Sequence, residues 1–146
     1  MHPRGAALVV AVVTLAGCGG SDRLSAADYR KQATRICADA DRRARAVPRP
    51  KDLAGLRSYL DSTVAIVQQD NERLRALKPP GDLQDGHAAA LRAQDAAIRE
   101  LQRLRTELRA PKPSLAAVQA GLARVARLGS EADRQFRRIG LPRCAS

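Results

Sequence analysis

Aromatic side chains are nearly missing from this chain, which has no tryptophan, two tyrosines and one phenylalanine in 146 residues. Without rings to stack bases on, a single-stranded nucleic-acid platform is not expected, even at a pI near 10.9. Histidine is as scarce. His87 is the only one beyond the N-terminal segment, whereas a metal site needs several donors to converge. A di-metal carboxylate bundle would need Glu-x-x-His pairs, and covalent c-type haem would need Cys-x-x-Cys-His; neither motif occurs. Asp82, Asp85 and His87 cluster near one loop, but a capped loop with a hydrogen-bonded histidine is the preferred reading. Glycine-rich phosphate loops and nucleophile elbows are also missing. No cofactor or metal is therefore expected, and an enzyme is the least supported class. Three cysteines and ten glycines are too few for a disulfide-dense mini-protein or a collagen. No segment alternates apolar and polar residues with period two, so no sheet is expected.

What the chain does have is apolar content, 45% hydrophobic residues, which is too much and too periodic for a disordered tail. One domain is the expectation at this length. At the N-terminus, Arg4 precedes an apolar run from Ala6 to Leu15, followed by small residues. The run is about half of the roughly 20 residues a bilayer span requires, and so reads as a signal segment. Leu15-Ala16-Gly17-Cys18 resembles the lipobox of bacterial lipoproteins. That resemblance implies removal of residues 1–17 and a diacylglyceryl thioether on Cys18, the new N-terminus. Two or more acyl chains hold a protein stably where one is marginal, at about 0.8 kcal/mol per buried methylene. The expected address is the outer face of the bacterial cytoplasmic membrane, with the membrane as partner through the lipid anchor. Residues 18–24, including Gly19 and Gly20, read as a lipidated cysteine and flexible tether.

Residues 25–146 read as a helical bundle domain. Ser25 and Asp28 mark a first helix start, and Tyr29, Ala33, Ile36, Ala40 and Val47 step along one face until Pro48 and Pro50. A second helix runs from Asp52 with a stripe of Leu53, Leu56, Leu60, Val64, Val67, Leu74 and Leu77, up to Pro79-Pro80-Gly81. Asp82 is the expected cap of a third, striped by Leu83, His87, Leu91, Gln94, Ile98, Leu101, Leu104 and Leu108. Ser114 caps a fourth, striped by Leu115, Val118, Leu122, Val125, Leu128, Ala132, Phe136 and Ile139, with Gly140 as the left-handed terminator. Helices of matched length joined by short links must run back and forth. The expected fold is an all-α, up-down-up-down four-helix bundle after the signal segment. Acid-before-base pairs four apart, Asp39 with Arg43, Asp41 with Arg45, Asp95 with Arg99 and Asp133 with Arg137, read as solvated helix faces.

With Cys18 lipidated, Cys37 and Cys144 remain as an even pair in an oxidising compartment, which reads as a disulfide; the alternative is two unpaired thiols. The bridge sets a geometric condition. Cys37 lies well inside the first helix, so Leu141-Pro142-Arg143 must carry the tail back along the bundle, or the fourth helix must end early. Arg35-Ile36-Cys37-Ala38-Asp39 and Gly140-Leu141-Pro142-Arg143-Cys144 together resemble small exported helical proteins of actinobacteria whose function is not established. That resemblance implies no catalytic residues.

The basic residues are 22 arginines and 4 lysines, a bias that GC-rich coding explains as readily as guanidinium chemistry. In an up-down-up-down bundle the first and third connections share the end away from the tether. They gather Arg42, Arg43, Arg45, Arg49 and Lys51 with Arg105, Arg109 and Lys112. Such a cationic tip would recruit an anionic envelope polymer or acidic protein. The other expectation is a small-molecule carrier using Asn71, His87 and Gln94 as polar contacts inside the bundle; the bland counterpart is that they are satisfied core positions fixing register.

Overall fold

The structure, a computed structural model, describes residues 22–145. Cys18, the signal segment and most of the tether lie outside the described residues. Four α-helices make the fold: α1 Ala26–Ala46, α2 Leu53–Arg75, α3 Gln84–Arg109 and α4 Leu115–Arg138. Single 3-10 turns, Gly81–Leu83 and Pro142–Cys144, precede α3 and follow α4.

Local chemistry explains most of the boundaries. The Ser25, Asp52 and Ser114 side chains accept from the backbone amides of Asp28, Gly55 and Ala117, each satisfying one of the donors a helix start leaves free. The third start departs from expectation. Asp82 lies within the 3-10 turn, and α3 begins after Leu83 with no side-chain cap. The α4 terminus is a Schellman turn. Gly140, with φ +76°, is the left-handed residue, and its amide donates to the Arg137 carbonyl at 3.1 Å while that of Leu141 donates to Phe136 at 2.9 Å.

Neighbouring helices run antiparallel, as their contacts show. Arg43 meets Asp70 while Arg73 meets Asp39, which sets α1 against α2. The Arg57 side chain donates to the Leu108 carbonyl at 2.6 Å, and Arg75 pairs with Asp95, which sets α2 against α3. Glu100 pairs with Arg124, and Gly86 lies against Ile139, so α3 opposes α4. This is the up-down-up-down order. Gly121 is where α3 and α4 approach closely, since a Cβ there would sit 3.1 Å from the Leu104 side chain.

Apolar burial falls into two clusters. One, at the end where the described chain begins, joins Tyr29, Ala33, Ile36 and Cys37 of α1 to Leu74, Ala90, Leu91 and Phe136, with Ile139 and Leu141 closing it. The other joins Leu60, Leu104, Leu108 and Val118, with Leu56 and Leu101 at its edge, and contains no residue of α1. The expected stripes are therefore buried unevenly: Leu53, Leu115 and Leu122 are exposed, Leu115 to 71%. Residues 22–24 also depart from a free tether. The Leu24 amide donates to the Lys78 carbonyl at 2.9 Å, Arg23 donates to Gln84, and Asp22 pairs with Lys78.

Candidate functional site

A cleft opens where α1 and α4 should complete the bundle. Each of α1–α2, α2–α3 and α3–α4 packs as a pair, but α1 and α4 are joined chiefly through the turn Pro142–Cys144. Leu141 is fully buried, and the Schellman turn that carries it folds the tail back onto α1. Cys144 thereby reaches Cys37, and the two are disulfide-bonded with Cα atoms 5.0 Å apart. The tail's return along the bundle meets the geometric condition set by Cys37 lying inside a helix.

Beside this clamp lies a cavity of about 520 Å³, lined by all four helices and the tail. Its apolar wall includes Cys37, Ala97, Gly129, Ala132 and Phe136. Small residues leave the space: a Cβ at Gly129 would meet nothing within 4 Å. That size falls in the range of small-molecule sites, roughly 300–1,000 Å³. Six polar or charged side chains interrupt the wall: Asp41, Arg45, Asp70, Gln94, Asp133 and Arg143.

Asp70 is buried, 3% exposed. Its Oδ1 accepts from Arg43 at 2.5 Å and more weakly from Arg73 at 3.4 Å, while Oδ2 has no hydrogen-bond partner. Burial raises its carboxyl above its ordinary value against the pull of both arginines. Arg43 and Arg73 also pair with Asp39, whose carboxyl is lowered first by the Arg73 hydrogen bond. Two cations and two carboxylates thus join α1 to α2 where apolar core is lacking. Periodicity misses Asp70 because an acid beside Val67 and Leu74 reads as a surface position; only the facing arginines make its burial tolerable.

The three polar residues expected inside the bundle are separated. Gln94 lines the cleft. Asn71 is buried instead at the α2–α3 seam, its Nδ2 donating to Asp95 at 2.5 Å. Asp95 also takes a two-pronged contact from Arg75, so it bridges helices where an intrahelical pair with Arg99 was expected. His87 packs edge-on to Tyr29, with Nδ1 2.8 Å from the phenol oxygen. Its Nε2, near the Leu74 backbone, makes no hydrogen bond of good geometry. Burial drives both partners toward neutrality, pushing the Tyr29 phenol up to about 12 and the imidazole below its ordinary value. His87 is thereby removed from Asp82 and Asp85, which are exposed. Among the described residues, no three His, Cys, Asp or Glu side chains are grouped to hold a metal ion.

The eight basic residues expected at one tip divide. Arg42 pairs with Asp39, Arg43 with Asp70, Arg45 with Asp41, and Arg105 and Arg109 with Asp61. Arg49, Lys51 and Lys112 are exposed and form no ion pair among the described residues. The Arg57–Leu108 contact does bring the two loops to one end. Much of the expected field is therefore answered internally by carboxylates that face the arginines from neighbouring turns and helices. No described helix is long and apolar enough to cross a membrane. No family model, curated protein or solved structure matches the chain.

Proposed function

We propose that this protein is a small-molecule binding module of the cell envelope, held at the outer face of the bacterial cytoplasmic membrane by lipid on Cys18, with the α1–α4 cleft as its site. The cleft is the observation that carries the reading. A bundle built only as a spacer would close this seam with larger side chains, whereas here Ala97, Gly129 and Ala132 keep about 520 Å³ open beside the disulfide. The lipobox-like Leu15-Ala16-Gly17-Cys18 and the Cys37–Cys144 pairing both suit an oxidising, exported setting.

Two measurements test it. Intact mass of the protein from bacterial membranes should give an N-terminus at an acylated Cys18, and an unacylated chain would overturn the anchor. A fluorescent apolar probe, 2-methoxynaphthalene, should bind the full chain in detergent and lose binding when Gly129→Leu fills the cleft. Unchanged binding would overturn the site.

A second reading is supported by the exposed Arg49, Lys51 and Lys112: the far end engages an anionic envelope polymer. Under it, Arg49→Glu, Lys51→Glu and Lys112→Glu together abolish salt-sensitive retention on a polyphosphate resin. Equal retention of this variant and the parent would dismiss it.

A further inference from the structure

The polar groups of the cleft restrict what it can take. Buried polar atoms are nearly always hydrogen-bonded, and an unsatisfied one costs about 1–3 kcal/mol. Asp70 Oδ2 and Gln94 Oε1 are both buried and without partners, and both side chains belong to the cleft wall. Each is an acceptor, so what is missing at this site is a donor. Charge narrows the choice further. Arg43 and Arg73 already face Asp70 and Asp39, so the local charges balance and a cation is not required. Asp41, Arg45, Asp133 and Arg143 also line the cleft, with Arg45 paired to Asp41, and the rest of the wall is apolar side chain that favours a largely apolar body.

Resting on the cleft reading above, we propose that the ligand is a neutral, largely apolar small molecule carrying one or two N–H or O–H donors, which Asp70 Oδ2 and Gln94 Oε1 accept. The apolar body lies against Ala97, Ala132 and Phe136, beside the Cys37–Cys144 bridge. Burial of the body supplies most of the affinity, and the two acceptors supply the orientation and the selection for a donor.

The test uses a matched probe pair, 2-naphthol with its O–H donor and 2-methoxynaphthalene without it, titrated by fluorescence against the full chain in detergent. The absence of tryptophan keeps the background low. 2-Naphthol should bind about three- to tenfold more tightly, the worth of one hydrogen bond. Gln94→Leu should shrink that preference while 2-methoxynaphthalene binds as before. Gly129→Leu should abolish binding of both probes, with an unchanged helical circular dichroism spectrum. Equal affinity for the two probes, both blocked by Gly129→Leu, would overturn the donor assignment and leave the cleft standing. A preference that survives Gln94→Leu undiminished would also overturn it. Binding of neither probe, or binding indifferent to Gly129→Leu, would overturn the cleft reading itself.

Discussion

At the end where the described chain begins, α1 is part of the apolar core; at the opposite end it is not. Tyr29, Ala33 and Ile36 pack with Phe136 and Leu141, and a covalent bridge reinforces them. At the far end the core consists of Leu60, Leu104, Leu108 and Val118 from the other three helices; between the two clusters, just beyond Cys37 and Leu74, α1 is tied to α2 by Arg43, Asp70, Asp39 and Arg73. One end is thus a four-helix core and the other a three-helix core, with ion pairs holding α1 to α2 between them. Apolar burial is non-directional and tolerates no gap, whereas a charge pair fixes a geometry and leaves space beside it. The cleft lies between these two regimes, where α1 leaves the apolar core and α4 no longer follows it.

The strongest way to break this contrast is Phe136→Ala. It should cost about 3–5 kcal/mol in urea unfolding, because it opens a cavity where α1, α3, α4 and the tail meet. A loss below 1 kcal/mol would mean that the core of this end is not where stability resides. Next comes the clamp. The double variant Cys37→Ser with Cys144→Ser should lose about 2–5 kcal/mol, since the bridge closes a long loop in the unfolded chain. An unchanged denaturation midpoint would show that Leu141 anchors the tail alone.

At the ion pairs, Arg43→Ala should cost about 1–3 kcal/mol, the range for hydrogen bonds to charged groups. Arg73 stays beside Asp70 and limits the loss. Added salt should weaken the half-exposed Asp39 contacts and leave the apolar cluster unaffected. Equal salt sensitivity of the Phe136→Ala and Arg43→Ala variants would erase the distinction.

Proton linkage gives a further contrast. The folded imidazole of His87 is held below its ordinary value of 6.5, so the unfolded chain binds the additional proton. Its contribution to stability is complete above pH 6.5 and declines as pH falls below it, with a slope of at most about 1.4 kcal/mol per unit. His87→Gln should flatten that part of the pH profile, measured by thermal melts; an unaltered slope would exclude His87 as its source. Asp39, Asp41 and Glu100, all held low by arginine contacts, lose their contribution only when pH falls into the carboxylate range. Asp70, shifted the other way by burial, offsets part of that loss. The smallest effect belongs to Leu115→Ala. At 71% exposure it should change stability by less than about 0.5 kcal/mol, and a larger loss would mean that α4 buries this face against something.

Much of the fold was legible because local signals agree. Proline and glycine punctuation, Ser25, Asp52 and Ser114 as caps, and Gly140 as terminator each act through the backbone within a few residues of themselves. The stripes were less informative near their ends. Leu53, Leu115 and Leu122 hold the same helical register as their buried neighbours, and register cannot say where a partner helix stops. Gln94 reads from its spacing as an interior polar residue and does line the cleft, but the same criterion selects Asn71 and His87, which meet Asp95 and Tyr29 instead. Asp70 carried no sequence signal.

The sequence by itself determined the helices and their order, because propensity, capping and short links act locally and leave one economical topology. Only the tertiary structure decided which charges face one another, that α1 leaves the core midway, and that small residues from three helices line one gap. Those outcomes depend on how far apart whole helices settle, a distance set by every side chain in the interface together.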